Sequence, residues 1–258
     1  MFIERHLKPL LIDYSKIYPL VLLTGPRQTG KTTLLKNTFP DHTYISLDDP
    51  SDADMATIMP NRFLESLSTP VIIDEAQYAP ELFRYLKIKI DTQEKPGQYI
   101  LTGSQQYNLM HNVSESLAGR AGILTLSSLS ASEISASTDF SLSEYLLRGG
   151  YPALYKNRTI QSRQWFPSYI NAYLERDVRN ISNIHNLRDF NRFLRAAALH
   201  AGQLLSLSEL ARDVSITPNT AKNWLSILQA SRQVFLLEPY HSSAGKRLVV
   251  VQRQQVDA

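Results

Sequence analysis

Five short apolar runs punctuate the first half of the chain, and each is closed by a turn or a polar cluster. They fall at residues 20–24, 43–49, 71–73, 98–102 and 121–126. Between them, residues 33–39, 61–66, 80–91 and 107–117 carry apolar positions at helical spacing. Alternating strands and helices predict an α/β fold with a mostly parallel, doubly wound sheet. The run Val71-Ile72-Ile73 has no polar alternation, so it reads as a strand buried on both faces.

The pattern changes in the second half. Gly149-Gly150-Tyr151-Pro152 breaks the chain after a helix ending near Arg148, which predicts a domain of residues 1–148 and another of 149–258. A long helix follows, with Trp165, Tyr169 and Tyr173 at every fourth position; this stripe reads as a face packed on a core rather than a base-stacking platform. Three shorter helices are then expected at 189–201, 207–214 and 217–230. Ser206 and Glu209 form a capping box for the second, and Pro218 sits in the first turn of the third. Strands at 234–240 and 247–250 flank a turn at 241–246. Three helices and a hairpin predict a helical, winged helix-turn-helix domain.

Composition narrows the classes. At 258 residues, 43% hydrophobic and 20% charged, the chain is long enough for two cores and too apolar to be disordered throughout. No run of about 18 apolar residues exists, so no transmembrane helix and no membrane partner are expected. The N-terminus lacks a basic segment followed by an apolar run. There is no cysteine, which removes disulfides, thiolate chemistry and cysteine-based zinc sites. Together these point to a cytoplasmic protein. The six histidines do not cluster at metal-ligand spacing. Residues 1–156 hold 14 Lys/Arg against 17 Asp/Glu, a balance of −3, whereas 157–258 hold 13 against 7, a balance of +6. That asymmetry fits either an anionic partner for the second half or a solvated, mildly basic surface.

The chemistry begins where the first strand ends. Gly25-Pro26-Arg27-Gln28-Thr29-Gly30-Lys31-Thr32-Thr33 contains G-x-x-x-x-G-K-T, the phosphate-binding loop of P-loop NTPases. Backbone N–H groups must turn inward around a phosphate, and glycine accepts the angles this needs. The following helix aims its positive end at the same anion. Lys31 then reaches the β- and γ-phosphates of ATP, and Thr32 ligates Mg²⁺. Asp74, at the end of the Val-Ile-Ile strand, is placed to hold Mg²⁺, and Glu75 to polarise the attacking water. The strand at 98–102 should lie beside the Asp74 strand, so that Thr102, Ser104 or Gln105 touches the γ-phosphate or the water. Arg120 precedes the fifth strand. It either stabilises γ-phosphate charge, in cis or from a neighbouring subunit, or caps a helix C-terminus.

The phosphate loop resembles that of the AAA-type ATP-binding proteins of bacteria and archaea. So do Ile72-Ile73-Asp74-Glu75-Ala76-Gln77, Leu101-Thr102-Gly103-Ser104, Leu117-Ala118-Gly119-Arg120 and Arg148-Gly149-Gly150-Tyr151-Pro152, in the same order and spacing. In that family the ATPase core is followed by a domain of unknown function, of the DUF4143 type. The resemblance covers roughly residues 1–250 and implies an AAA-type ATPase core, with Arg120 as arginine finger or sensor, acting in cis or, in a homo-oligomer, on a neighbouring subunit. The expected activity is Mg²⁺-dependent ATP hydrolysis coupled to movement of the second domain or a partner. An alternative is an ATP-switched regulator that binds DNA. Thr217, Asn219, Thr220, Lys222 and Asn223 on the third helix, with Arg232, Lys246 and Arg247 at the wing, would make the contacts. A small-molecule kinase shares the loop but has little use for a glutamate after the magnesium acid. Family members usually continue into a further α/β region, whereas this chain turns Gln-rich after Arg247-Leu248, which leads us to expect a truncation or frameshift there.

Overall fold

The computed structural model describes residues 2–93, 95–104, 117–173, 186–237 and 249–252. The chain forms two compact units, Met1–Asp139 and Phe140–Ala258.

The first unit is built on a five-stranded parallel sheet of β1 (Leu20–Thr24), β2 (Thr43–Ser46), β3 (Val71–Asp74), β4 (Tyr99–Thr102) and β5 (Ala121–Thr125). The strand order is β2-β3-β4-β1-β5. Strand β4 therefore lies between β1 and β3, in register Leu23↔Thr102 and Ile73↔Leu101. The strand alternation sorts side chains to two cores. Leu20, Leu22, Val71, Ile73 and Leu101 face one of them. There they meet Ala56 of α3 (Pro50–Ile58), Phe63 of α4 (Pro60–Ser66) and Leu82, Phe83 and Leu86 of α5 (Leu82–Gln93). Val21, Leu23, Ile72 and Ile100 face the other, with Leu11 of α1 (Lys8–Ile17) and Leu34 and Leu35 of α2 (Lys31–Thr38). With helices on both faces, ligands in such folds bind outside the carboxyl ends of the strands.

Local chemistry moved several expected boundaries. The acids after β2 end the strand early, because Asp49 caps α3 by accepting from Ser51 N at 2.9 Å. Helices α1 and α3 were not expected; α3 buries only Ala56, so its pattern is weak. The helix expected at 107–117 lies mostly outside the described residues, as does Gln105.

The second unit begins nine residues before the expected boundary, because Gly149-Gly150-Tyr151-Pro152 is internal to it. Gly149 (φ 66°) ends α7 (Leu142–Arg148), and its N–H donates to Tyr145 O at 2.8 Å. Tyr151 is fully buried against Trp165, Phe166 and Tyr169 of α9 (Ser162–Tyr173). Trp165 stacks on Tyr169 at 5.1 Å, and Tyr173 is buried, so the aromatic stripe packs inward. Helix α8 (Pro152–Lys156) lies between α7 and α9 in the chain. Helices α10 (Leu187–Leu199), α11 (Leu207–Val214) and α12 (Pro218–Ala230) follow, and then β6 (Val234–Leu237) pairs antiparallel with β7 (Val249–Gln252). Phe190 and Phe193 of α10 meet Trp224 of α12 edge-on. The turn expected at 241–246, with Lys246 and Arg247, lies outside the described residues.

Candidate functional site

The C-terminal ends of β1 and β3 lie at the same end of the sheet, on either side of β4. After Thr24 the chain turns at Gly25 (φ 143°), where a Cβ would stand 2.1 Å from Leu126 O. No other residue fits this close passage between loop and β5. Gln28 (φ 60°) and Gly30 (φ 91°) bend the loop back, and Thr29 Oγ1 ties it internally by donating to Pro26 O at 2.9 Å. Helix α2 starts at Lys31, with no acid in its first turn, so its N-terminus keeps a positive end for an anion. Lys31 is buried, and its ammonium donates to Gly25 O and Pro26 O, each at 2.9 Å. Pro26 and Thr29 are buried, Arg27 is half-buried, and Gln28 and Thr33 are exposed.

Thr32 and Asp74 are brought together across 42 residues of chain. Thr32 Oγ1 donates to Asp74 Oδ2 at 2.6 Å. Tyr44 OH donates to the same oxygen at 2.9 Å, and Glu75 N–H donates to Oδ1 at 3.0 Å. Three donors fix the orientation of the carboxylate. Glu75 sits in the left-handed region (φ 56°), a local strain of the kind found where a side chain must be aimed. Gln77 Nε2 donates to Glu75 Oε2. Burial, the dominant cause, raises the Glu75 pKa above the ordinary range for glutamate; Gln77, Lys31 and Arg27 pull it back, and Asp74 pushes it up further. Six buried side-chain atoms among the described residues have no hydrogen-bond partner. Three of them, Gln77 Oε1, Thr102 Oγ1 and Ser104 Oγ, belong to the segments that follow or end β3 and β4. Polar atoms buried without partners are costly unless a ligand or water satisfies them.

Residues 18–135 match the family model of an AAA domain. The first unit carries an AAA-type ATPase core. Residues 139–253 match a domain of unknown function, DUF8612, rather than the DUF4143 type that the sequence resemblance implies. Uncharacterized proteins of Mycobacterium bovis and Mycobacterium tuberculosis are each 36% identical over 233 residues, covering 89% of this chain and 52% of theirs. The chain thus spans about half the length of these curated relatives. A Walker-type ATPase of Pyrococcus abyssi aligns over 98% of this chain and 94% of its own, with a TM-score of 0.59 and 15% identity. That likeness concerns the P-loop NTPase fold alone. No helix among the described residues is long and apolar enough to cross a membrane.

Arg120 stands apart from the rest of the AAA core. Ala121 is in register with Leu20, the first residue of β1, so Arg120 lies at the opposite end of the sheet from the phosphate loop. Five strand residues separate those ends, roughly 16 Å. The guanidinium grips Asp91 of α5 through Nε and, at 3.2 Å, through Nη2 to Oδ2. Within one chain the sheet register keeps it from the loop.

Sequence reasoning overlooked Tyr44 and Gln77, the partners of the two acids. Sheet order, which spacing does not mark, sets Tyr44 beside Asp74, and the turn after β3 aims Gln77 back at Glu75. It also overlooked Arg188, Arg192 and Arg195, exposed at positions i, i+4 and i+7 of α10, which the helical period does reveal.

Proposed function

We propose that the chain is a Mg²⁺-dependent ATPase whose nucleotide state moves the second unit or a bound partner. The Thr32–Asp74 hydrogen bond carries this reading, since it joins the loop to the β3 acid. Two hard oxygen ligands so close suit Mg²⁺, which is completed by phosphate oxygens and water. Bound there, the ion would neutralise phosphate charge during transfer. Lys31 and the loop amides bind the phosphates. Glu75 orients the water, and Thr102 or Ser104 reports the γ-phosphate. Arg120 completes the site of a neighbouring subunit, a role that its place at the far end of the sheet supports. Replacing Lys31 with Ala removes the main phosphate cation and should abolish ATP binding in an equilibrium titration. Binding equal to that of the wild type would refute the assignment.

A second reading, an ATP-switched DNA-binding regulator, is favoured by one observation. Asn219, Lys222, Asn223 and Ser226 line the exposed face of α12, while Ala221, Leu225 and Leu228 are buried. In this reading α10–α12 and the β6–β7 ribbon form a winged helix. Thr217 serves instead as the N-cap of α12, accepting from Thr220 N at 3.1 Å, which leaves fewer groups for base edges. Duplex DNA should be retarded in a gel at physiological salt, more strongly with ATP, and Lys222→Ala should weaken it. A shift indifferent to both would exclude α12 as the reading helix.

A further inference from the structure

A buried arginine remote in sequence from the glycine motif reaches the phosphate loop. Arg5 and Glu133, of α6 (Ala131–Ser135), are 6% and 5% exposed and pair through Nε and Oε1 at 3.2 Å. Arg5 Nη1 donates to Thr29 O at 2.8 Å, and Nη2 donates to Ser127 O at 2.5 Å. Glu133 is fixed in turn. His6 N–H donates to Oε1 and Ser130 N–H to Oε2, both at 2.8 Å. All three guanidinium nitrogens and both carboxylate oxygens are thus engaged.

A buried ion pair is weak evidence for stability, because apolar packing of the same volume often serves as well. An apolar side chain cannot hold the carbonyls of two separate segments. Here one of those segments is the phosphate loop, and the other follows β5 directly after Leu126, whose carbonyl walls Gly25. The Thr29 C=O and the Gly30 N–H belong to one planar trans peptide and point in opposite directions. Holding Thr29 O on the guanidinium therefore turns the Gly30 N–H away from Arg5.

We infer that Arg5 is a positioning residue: it presets the Gly30 N–H toward the phosphate, and Glu133 holds Arg5 in place. This rests on the nucleotide-binding reading of the site. Preorganisation of this kind acts on affinity, since the loop is ordered before the ligand arrives.

The test compares the full chain with Arg5→Gln, Arg5→Lys and Glu133→Gln in Mg²⁺-ATP binding and steady-state turnover. Losing a charge-assisted hydrogen bond that orders the loop should raise the Kd and KM for ATP about tenfold or more in Arg5→Gln, with kcat within about threefold. Arg5→Lys should recover part of the loss, and Glu133→Gln should show a smaller rise of the same kind. A merely structural role would reduce the folded fraction, lowering apparent kcat while leaving KM unchanged. A folded Arg5→Gln whose Kd lies within twofold of the wild type overturns the inference. If Arg5→Gln does not fold, Glu133→Gln decides in the same way. A wild-type chain that fails to bind ATP would instead remove the nucleotide reading itself, and the role of Arg5 with it.

Discussion

The two ends of one parallel sheet are built differently. At the C-terminal end, Lys31, Thr32, Asp74 and Glu75 are buried or half-buried and each is held by at least one side-chain hydrogen bond, and Thr102 and Ser104 bury oxygens without any. At the N-terminal end, Arg120 and Asp91 are 38% and 41% exposed and grip mainly each other. An exposed pair contributes little to stability, about 0–1 kcal/mol, so Arg120 is not needed there to hold the fold. The buried end holds oxygens that only a ligand or water would satisfy. The exposed end is a group free to change partners when another surface arrives.

That contrast breaks most sharply at Arg120. If it acts on a neighbouring subunit, turnover per chain should rise with protein concentration. Arg120→Ala should remove about a thousandfold or more of the assembled rate, the usual worth of an arginine finger, while ATP binding stays near wild type. Mixing sharpens the test. Arg120→Ala keeps a complete loop, and Lys31→Ala keeps the arginine, so a mixture of the two should recover turnover that neither shows alone. A mixture as slow as its components would place Arg120 outside the reaction.

Glu75 tests the buried end. Glu75→Gln keeps the shape and removes the charge to which we assign the orientation of the water. It should bind ATP with wild-type affinity and turn it over about a hundredfold to a thousandfold more slowly. Phosphate release at the wild-type rate would remove Glu75 from that role.

How much of this was legible in the chain follows from what each feature depends on. The strands and the loop were readable because Val71-Ile72-Ile73 and Gly25 to Thr32 are local signals, and burial on both faces leaves no polar alternation to misread. Strand ends were less readable, since β2 stops at Ser46 and the acids after it lead into α3, which Asp49 caps. The side of the sheet on which Arg120 falls needed the register with β1, which no local spacing encodes. Tyr44, Gln77 and Arg5 were invisible too. Their partners lie 30, 2 and 128 residues away, and only the fold makes them neighbours, or, for Gln77, aims the side chain back along the turn.

The smallest effect is the most discriminating about how Glu75 is tuned. Its carboxyl lies above the ordinary value chiefly because it is buried, and Gln77 counteracts this by donating to the ionised form. A carboxylate that orients water must be ionised, so turnover should fall as pH drops through the Glu75 pKa. Gln77→Leu removes the donor, the pKa rises further, and the acid limb of the kcat profile should move to higher pH, with at most a few-fold loss on the alkaline side. Stability has a matching sign. A carboxyl raised in the folded state binds more protons folded than unfolded, so stability decreases as pH rises from the ordinary glutamate value through the folded one. The variant, which also removes the buried unpartnered Gln77 Oε1, should therefore be no less stable than the wild type in acid and lose stability relative to it as pH rises through the folded Glu75 pKa. An acid limb left in place by Gln77→Leu would show that the carboxylate is tuned by Lys31 and Arg27 instead.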